Sequence, residues 1–258
     1  FCEPKTDSII TVPPTYGMYK VLAGVNAVRN KEVLLTSSFQ LNVAGILEAI
    51  DETTKLIFIC SPNNPTGNSI ASEDIKQLLA SFRGLVVIDE AYIDFSKQQS
   101  WANVLDEYPN LVVTQTLSKA YAMAGIRLGI CIASEEIIAV LRKIKPPYNV
   151  NTLTQERAIA ELENINDIKE RIHLIINEKE LLSKQLLEVY FIQGVLPSDA
   201  NFLLVRVDDA NKRYTELTQQ GIIVRNRSTQ PMCDNTLRIT IGTPSENIKL
   251  RTVLKNME

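Results

Sequence analysis

Continuous apolar runs alternate with amphipathic stretches through the first half of the chain. Leu56-Ile57-Phe58-Ile59-Cys60, Leu85-Val86-Val87-Ile88 and the segment over 111–116 have strand length, and each stops at a polar or turn-forming cluster. Runs without alternation suit strands buried on both faces. Further strands are predicted over 9–12, where Pro13-Pro14 stops the run, over 25–34 and over 128–133. Between them the pattern predicts a helix over 43–50 and another from Ser72, with Ser72 as its cap and Glu73 and Asp74 in its first turn. Strands alternating with helices argue for an α/β fold, a mostly parallel sheet sandwiched by helices.

The pattern changes after Asn151. Long charged helices are predicted over 152–163 and 167–189. A strand over 201–207, a helix over 210–220, strands over 222–224 and 237–241 and a last helix from Ser245 follow. This order reads as a smaller C-terminal α+β domain. The division expected is a large domain over 1–163 and a small one over 164–258.

Composition narrows the function classes. The chain has 258 residues, 45% hydrophobic and 22% charged, enough for a sizeable core. Its net charge of -3 comes without any basic stripe interleaved with aromatics, so the sequence offers nothing to nucleic acid. No apolar run is long enough to span a bilayer. Cys2, Cys60, Cys131 and Cys233 form no CxxC pair and no metal spacing, so no metal site is expected. Three of them lie in or beside apolar segments and read as buried free thiols, which suits a reducing cytoplasm. His173 is the only histidine and sits in a helical segment, so no histidine-based triad exists.

Ligands in parallel sheets bind at the carboxyl ends of the strands. Asn64, Asp89 and Lys119 each follow a predicted strand. Lys119 has Ser118 beside it and Arg127 in the same loop. A lysine amine condenses with aldehydes, while serine and arginine suit a phosphate. Asp89 either caps the next helix or faces a cationic group. Arg225 and Arg238 lie in or beside apolar strands, where a guanidinium needs an ion pair or an anionic ligand.

The stretch Thr116-Leu117-Ser118-Lys119-Ala120-Tyr121-Ala122-Met123-Ala124-Gly125-Ile126-Arg127-Leu128-Gly129 resembles the lysine segment of fold-type I pyridoxal phosphate (PLP) enzymes, the aminotransferases in particular. Phe1-Cys2-Glu3-Pro4, Pro13-Pro14-Thr15-Tyr16-Gly17-Met18-Tyr19, Ser61-Pro62-Asn63-Asn64-Pro65-Thr66-Gly67, Asp89-Glu90-Ala91-Tyr92-Ile93-Asp94-Phe95 and Leu237-Arg238-Ile239-Thr240-Ile241-Gly242 carry the resemblance along essentially the whole chain. They are more similar to histidinol-phosphate aminotransferases than to aspartate or aromatic aminotransferases.

The resemblance implies a role for each candidate residue. Lys119 holds PLP and moves the substrate proton, and Asp89 keeps the ring nitrogen protonated. Asn64 and Tyr92 bond the ring oxygen, Tyr16 stacks on the ring, and Ser118 and Arg127 hold the cofactor phosphate. Asn201, Arg225 and Arg238 bind substrate anions: Arg225 and Arg238 take a phosphate, and Arg238 also takes a carboxylate. The implied reaction exchanges the amino group of L-histidinol phosphate with 2-oxoglutarate, giving imidazole acetol phosphate and L-glutamate, in a cytoplasmic homodimer. The alternatives are an aromatic aminotransferase, a lyase like threonine-phosphate decarboxylase, and a PLP-binding sensor domain of a regulator, the last opposed by the match over Pro13 to Tyr19 and Leu237 to Gly242. In the family, an N-terminal arm, a first sheet strand, a phosphate-holding loop and a tyrosine lent to the partner precede the position of Phe1. The sequence is therefore expected to begin inside a larger protein.

Overall fold

The buried apolar runs assemble into one six-stranded sheet in the computed structural model, which describes residues 1–257. Its strands are β1 (Ser8–Thr11), β2 (Arg29–Glu32), β3 (Thr54–Cys60), β4 (Leu85–Asp89), β5 (Leu111–Thr116) and β6 (Gly129–Ala133). Their order is β2-β1-β3-β4-β5-β6. The first five are mutually parallel, and β6 joins β5 antiparallel. Parallel neighbours require crossovers. Helices α1 (Met18–Val25), α2 (Val43–Ala49) and α3 (Ser72–Ser81) supply three of them, and short 3-10 turns at Ile93–Phe95 and Trp101–Glu107 connect β4 to β5. Ile10, Ile57, Ile59, Ile88 and Val113 from the sheet pack against Ile46, Ile75 and Leu78 from α2 and α3. Each such side chain contributes roughly 1.5–3 kcal/mol when fully buried.

Helices α4 (Glu135–Ile144) and α5 (Thr152–Leu162) lead into the long α6 (Ile165–Leu186). A second sheet follows, built from β7 (Ile192–Val195), β8 (Phe202–Val207), β9 (Arg225–Asn226) and β10 (Thr236–Thr240). Its order is β7-β8-β10-β9, antiparallel at every pairing. Helices α6, α7 (Ala210–Gln219) and α8 (Pro244–Lys255) close its core around Leu186, Leu203, Val205, Leu217, Leu237 and Leu250. The helix starts are well specified. Asp209 caps α7 through the amides of Asn211 and Lys212, and Thr243 with Glu246 forms a capping box on α8.

The two units meet at Gly67. Its φ of +85° suits glycine, and a Cβ there would lie 2.5 Å from Ser198 Oγ. The Asp199 amide donates to the Gly67 carbonyl at 2.7 Å, and the Ser69 amide donates to Asp199 Oδ2 at 3.2 Å. Tyr92, Phe95 and Ala120 pack against Ala200 and Phe202 beside this joint.

The mostly parallel sheet covered by helices, with a smaller antiparallel unit after it, agrees with the apolar pattern. Several local expectations change. The strand expected over 25–34 shrinks to Arg29–Glu32, because Val25 ends α1. β2 is an edge strand bonded to β1 alone, so its residues alternate in no buried pattern. The strand expected over 222–224 lies further on, at Arg225–Asn226, where β10 offers a partner. Ser72 is the first residue of α3 rather than its cap; Ala71 holds that place without a side-chain bond. Cys60 and Cys233 are buried free thiols, but Cys131 is exposed, because it lies on the edge strand β6. Among the described residues no helix is long and apolar enough to cross a membrane.

Candidate functional site

The carboxyl ends of β3, β4 and β5 point the same way, so the loops that follow them converge. With the loop after β1 and the arginine-bearing edge of the second sheet they surround a cavity of about 790 Å³. Asn64, Asp89, Tyr92, Ser118, Lys119 and Arg127 line it, as do Tyr16, Arg225 and Arg238. Nine of the ten residues expected at a site therefore meet in one place. Asn201 does not line the cavity; its carbonyl accepts from the Ile241 amide at 2.9 Å and ties the chain beyond β10 to the start of β8.

Asn63 builds the frame for its neighbour. Buried, it donates through Nδ2 to the Pro14 carbonyl and to Thr66 Oγ1, both at 2.8 Å. Its Oδ1 accepts from Thr15 Oγ1 at 3.0 Å. These bonds lash the loop after β3 to the loop after β1. Asn64 is thereby aimed at the cavity, where its Oδ1 accepts from Arg238 Nη1 at 2.6 Å. That bond settles the amide's orientation and leaves its NH₂ as a donor.

Asp89 ends β4. Its Oδ1 accepts from the Ala91 amide at 3.0 Å and its Oδ2 from the Tyr19 hydroxyl at 2.6 Å. Burial pushes the carboxyl above the usual aspartate range, while Tyr19, the Ala91 amide and the charge of Lys119 pull it back. Tyr92 is buried, and burial pushes its phenol up to about 12, so it remains a proton donor. Glu90 points the other way. It is fully buried and accepts from Ser100 Oγ, the Trp101 amide and Gln115 Nε2 at 2.5, 2.7 and 2.8 Å, a purely structural anchor behind β4.

Lys119 follows β5 in a tight loop. Thr116 Oγ1 donates to Ser118 Oγ at 2.9 Å and accepts from the Ser118 amide at 3.1 Å, which folds the chain back at once. Ala122 and Arg127 occupy left-handed backbone, at φ 55° and 57°. Non-glycine residues in this region cost roughly 1–2 kcal/mol each, and such strain gathers at functional loops. Lys119 Nζ stands 5.5 Å from the centre of the Tyr92 ring. Its side chain is reached by solvent through the cavity. Desolvation, then the nearby Arg238 guanidinium, hold its ammonium below the usual lysine range.

Three arginines share the opposite wall. Arg225 on β9 lies directly across from Arg238 on β10. Arg227, two residues on, continues the pairing, its amide donating to the Thr236 carbonyl at 2.9 Å. A spacing of two puts Arg225 and Arg227 on one face. Like charges directly opposite each other destabilise a sheet, so this face is built for an anion. Arg227 Nε and Arg238 Nε are buried without a hydrogen-bond partner, and a buried donor needs an acceptor. Arg238 also packs over the Phe202 ring, 4.9 Å from its centre.

Two participants escaped the sequence reading. Arg227 was readable from the two-residue spacing after Arg225. Tyr19 was readable as the next aromatic after Tyr16, three positions on in a helix, though nothing in the sequence paired it with Asp89.

The donor set fits a phosphorylated pyridine aldehyde such as PLP. It offers an amine, a carboxylate bonded only by the neutral Tyr19 hydroxyl and Ala91 amide, and phenol and amide donors. An aromatic face at Tyr16, 43% exposed, and guanidinium groups complete it.

A family model for "Aminotransferase class I and II" matches residues 1–253. The chain is 62% identical over 255 residues to a histidinol-phosphate aminotransferase of Flavobacterium johnsoniae, covering 99% of this chain and 73% of that one. The crystal structure of the histidinol-phosphate aminotransferase from Clostridium acetobutylicum superposes with a TM-score of 0.90 at 27% identity, over 97% of this chain and 77% of that one. The Sinorhizobium meliloti histidinol-phosphate aminotransferase, solved in complex with pyridoxal-5'-phosphate, shares the fold with a TM-score of 0.86 at 22% identity, over 97% of this chain and 70% of that one.

Proposed function

The chain belongs to the class I and II aminotransferases, and from that premise we propose that it transfers the amino group of L-histidinol phosphate to 2-oxoglutarate, with PLP as cofactor. The observation that carries this reading is the pairing of Lys119 and Asp89 on one wall with three arginines on the other. An ordinary amino acid presents one carboxylate. A phosphorylated amino donor presents a dianion, and the Arg225 and Arg227 guanidinium groups match it better than they match a single negative charge.

When bound, PLP supplies an electron-withdrawing ring that stabilises negative charge developing at the substrate Cα. This chain's residues do the rest. Lys119 is the proton carrier between the substrate Cα and C4′ of the cofactor. Burial and the neighbouring Arg238 lower its proton affinity, which shifts the amine toward the neutral form that a general base uses. Asp89 holds a proton on the ring nitrogen, since a carboxylate favours the charged ring. Asn64, through its free NH₂, and Tyr92, through its hydroxyl, donate to the ring oxygen. Tyr16 covers one face of the ring. Ser118 and Arg127 bind the cofactor phosphate. Arg225 and Arg227 take the substrate phosphate, and Arg238, fixed by Asn64, takes the carboxylate of glutamate or 2-oxoglutarate. Asn201 stands outside the cavity wall and has no assigned contact.

The reading includes a homodimer in the cytoplasm. Exposed Val21, Leu22 and Val25 on α1, beside the cavity mouth, support the first, and four free cysteines support the second.

A panel of amino donors, each offered with 2-oxoglutarate while glutamate formation is followed, tests the reading. L-Histidinol phosphate is expected to react with the highest kcat/KM. Equal or better use of phenylalanine or aspartate refutes the phosphate assignment. Release of carbon dioxide from a phosphorylated amino acid, without glutamate, refutes transamination.

A further inference from the structure

Asp89 has an unusual setting for a buried carboxylate. No lysine or arginine forms an ion pair with it among the described residues. Two neutral donors hold it instead, one on each oxygen: the Ala91 amide on Oδ1 and the Tyr19 hydroxyl on Oδ2. With both oxygens tied, the carboxylate is held in one orientation, and Lys119 acts on its charge only from a distance.

Tyr19 reaches Asp89 from beneath. It lies in the first turn of α1, 8% exposed, and does not line the cavity, although Tyr16, Gly17 and Met18 do. Its ring stacks on Phe58 of β3 at 5.1 Å and 22°, and meets Tyr16 edge-on at 5.5 Å and 84°. The ring is thus fixed by packing, and its hydroxyl is delivered to one oxygen atom of Asp89. The 2.6 Å separation is that of a charge-assisted O–H···O bond.

We propose that Tyr19 is a positioning residue for the reaction: its hydroxyl keeps the Asp89 carboxylate ionised and aimed at the cofactor's ring nitrogen. This rests on the PLP reading given above. The groups that face Asp89 are Tyr19 from α1, Cys60 from β3, the Ala91 amide, Tyr92 from the same loop and Lys119 from the loop after β5. Of these only Tyr19 and the Ala91 amide bond it directly, and only Tyr19 does so through a side chain. Burial holds the Tyr19 phenol well above its ordinary value, so it donates throughout the neutral range. The Cys60 thiol is likewise raised by burial and stays neutral.

Tyr19→Phe removes the hydroxyl and leaves the stack on Phe58 in place. The full chain is compared with Tyr19→Phe, Asp89→Asn and the double variant, by PLP affinity from fluorescence titration and by single-turnover rate. The bond to a charged acceptor predicts that Tyr19→Phe lowers the rate by about ten- to a hundredfold and weakens PLP binding. In the Asp89→Asn background the same change alters either readout less than about twofold, because Tyr19 then has no anion to hold. Wild-type affinity and rate in Tyr19→Phe, with Asp89→Asn inactive, overturn the proposal and leave the cofactor reading intact. Equal losses in both backgrounds overturn it too, since they mark a packing role. An Asp89→Asn variant with wild-type affinity and rate removes the cofactor reading and this proposal together.

Discussion

The two sheets bring residues to one cavity by different geometry. In the parallel sheet, direction alone does the work. Because β3, β4 and β5 run the same way, Asn64, Asp89 and Lys119 converge wherever their strands end. In the antiparallel sheet, adjacent ends point oppositely, and convergence depends on register and face. Arg225 and Arg238 meet only because β9 and β10 pair them directly, and Arg227 joins them only through the two-residue period. A parallel site therefore tolerates changes within a strand, while the arginine wall depends on pairing that a one-residue slip would undo.

The sharpest way to break this comparison is at Lys119. Lys119→Ala is expected to lower the transamination rate by at least about a thousandfold, read by glutamate formation, with the unfolding midpoint little changed. A residual rate within tenfold of wild type would remove the parallel sheet's chemical role. Next comes the arginine wall. Arg238→Gln loses the bond to Asn64 as well as a charge, so KM for 2-oxoglutarate is expected to rise about ten- to a hundredfold. Arg227→Gln is expected to raise KM for the phosphorylated donor while sparing that for 2-oxoglutarate, a split that separates the two anion subsites.

The joint between the sheets is tested by stability. Gly67→Ala forces a Cβ into left-handed backbone and against Ser198, and is expected to cost about 2 kcal/mol in denaturant unfolding. The smallest effect is in pH. The Lys119 ammonium is disfavoured in the folded chain, so folding releases protons between its lowered pKa and the ordinary lysine value of 10.5. The unfolded chain binds more protons there, so this residue's contribution to stability rises with pH through that window. In Lys119→Met, that segment of the stability-versus-pH curve is expected to flatten.

Most of the parallel sheet was legible because strands buried on both faces write themselves as continuous apolar runs. Its motifs were legible because turn residues and reactive side chains cluster at strand ends. Less was legible elsewhere. β9 has only two residues and little apolar signal, so its position followed β10 rather than its own sequence. β2 is a polar edge strand, and α1 before it hides a helix inside a run of β-branched and apolar residues. Asn201 reads as a ligand at a strand start, and what the fold adds is a backbone bond from its carbonyl to the Ile241 amide. The bond from Tyr19 to Asp89 spans 70 positions and crosses from α1 to β4, a contact that no local pattern encodes.

The central claim is that Lys119 is the residue that takes the cofactor. Loading the full chain with PLP, reducing with borohydride and mapping the peptides by mass spectrometry tests it directly. The account predicts one phosphopyridoxyl group, on Lys119. A group on another lysine, or none, would contradict it.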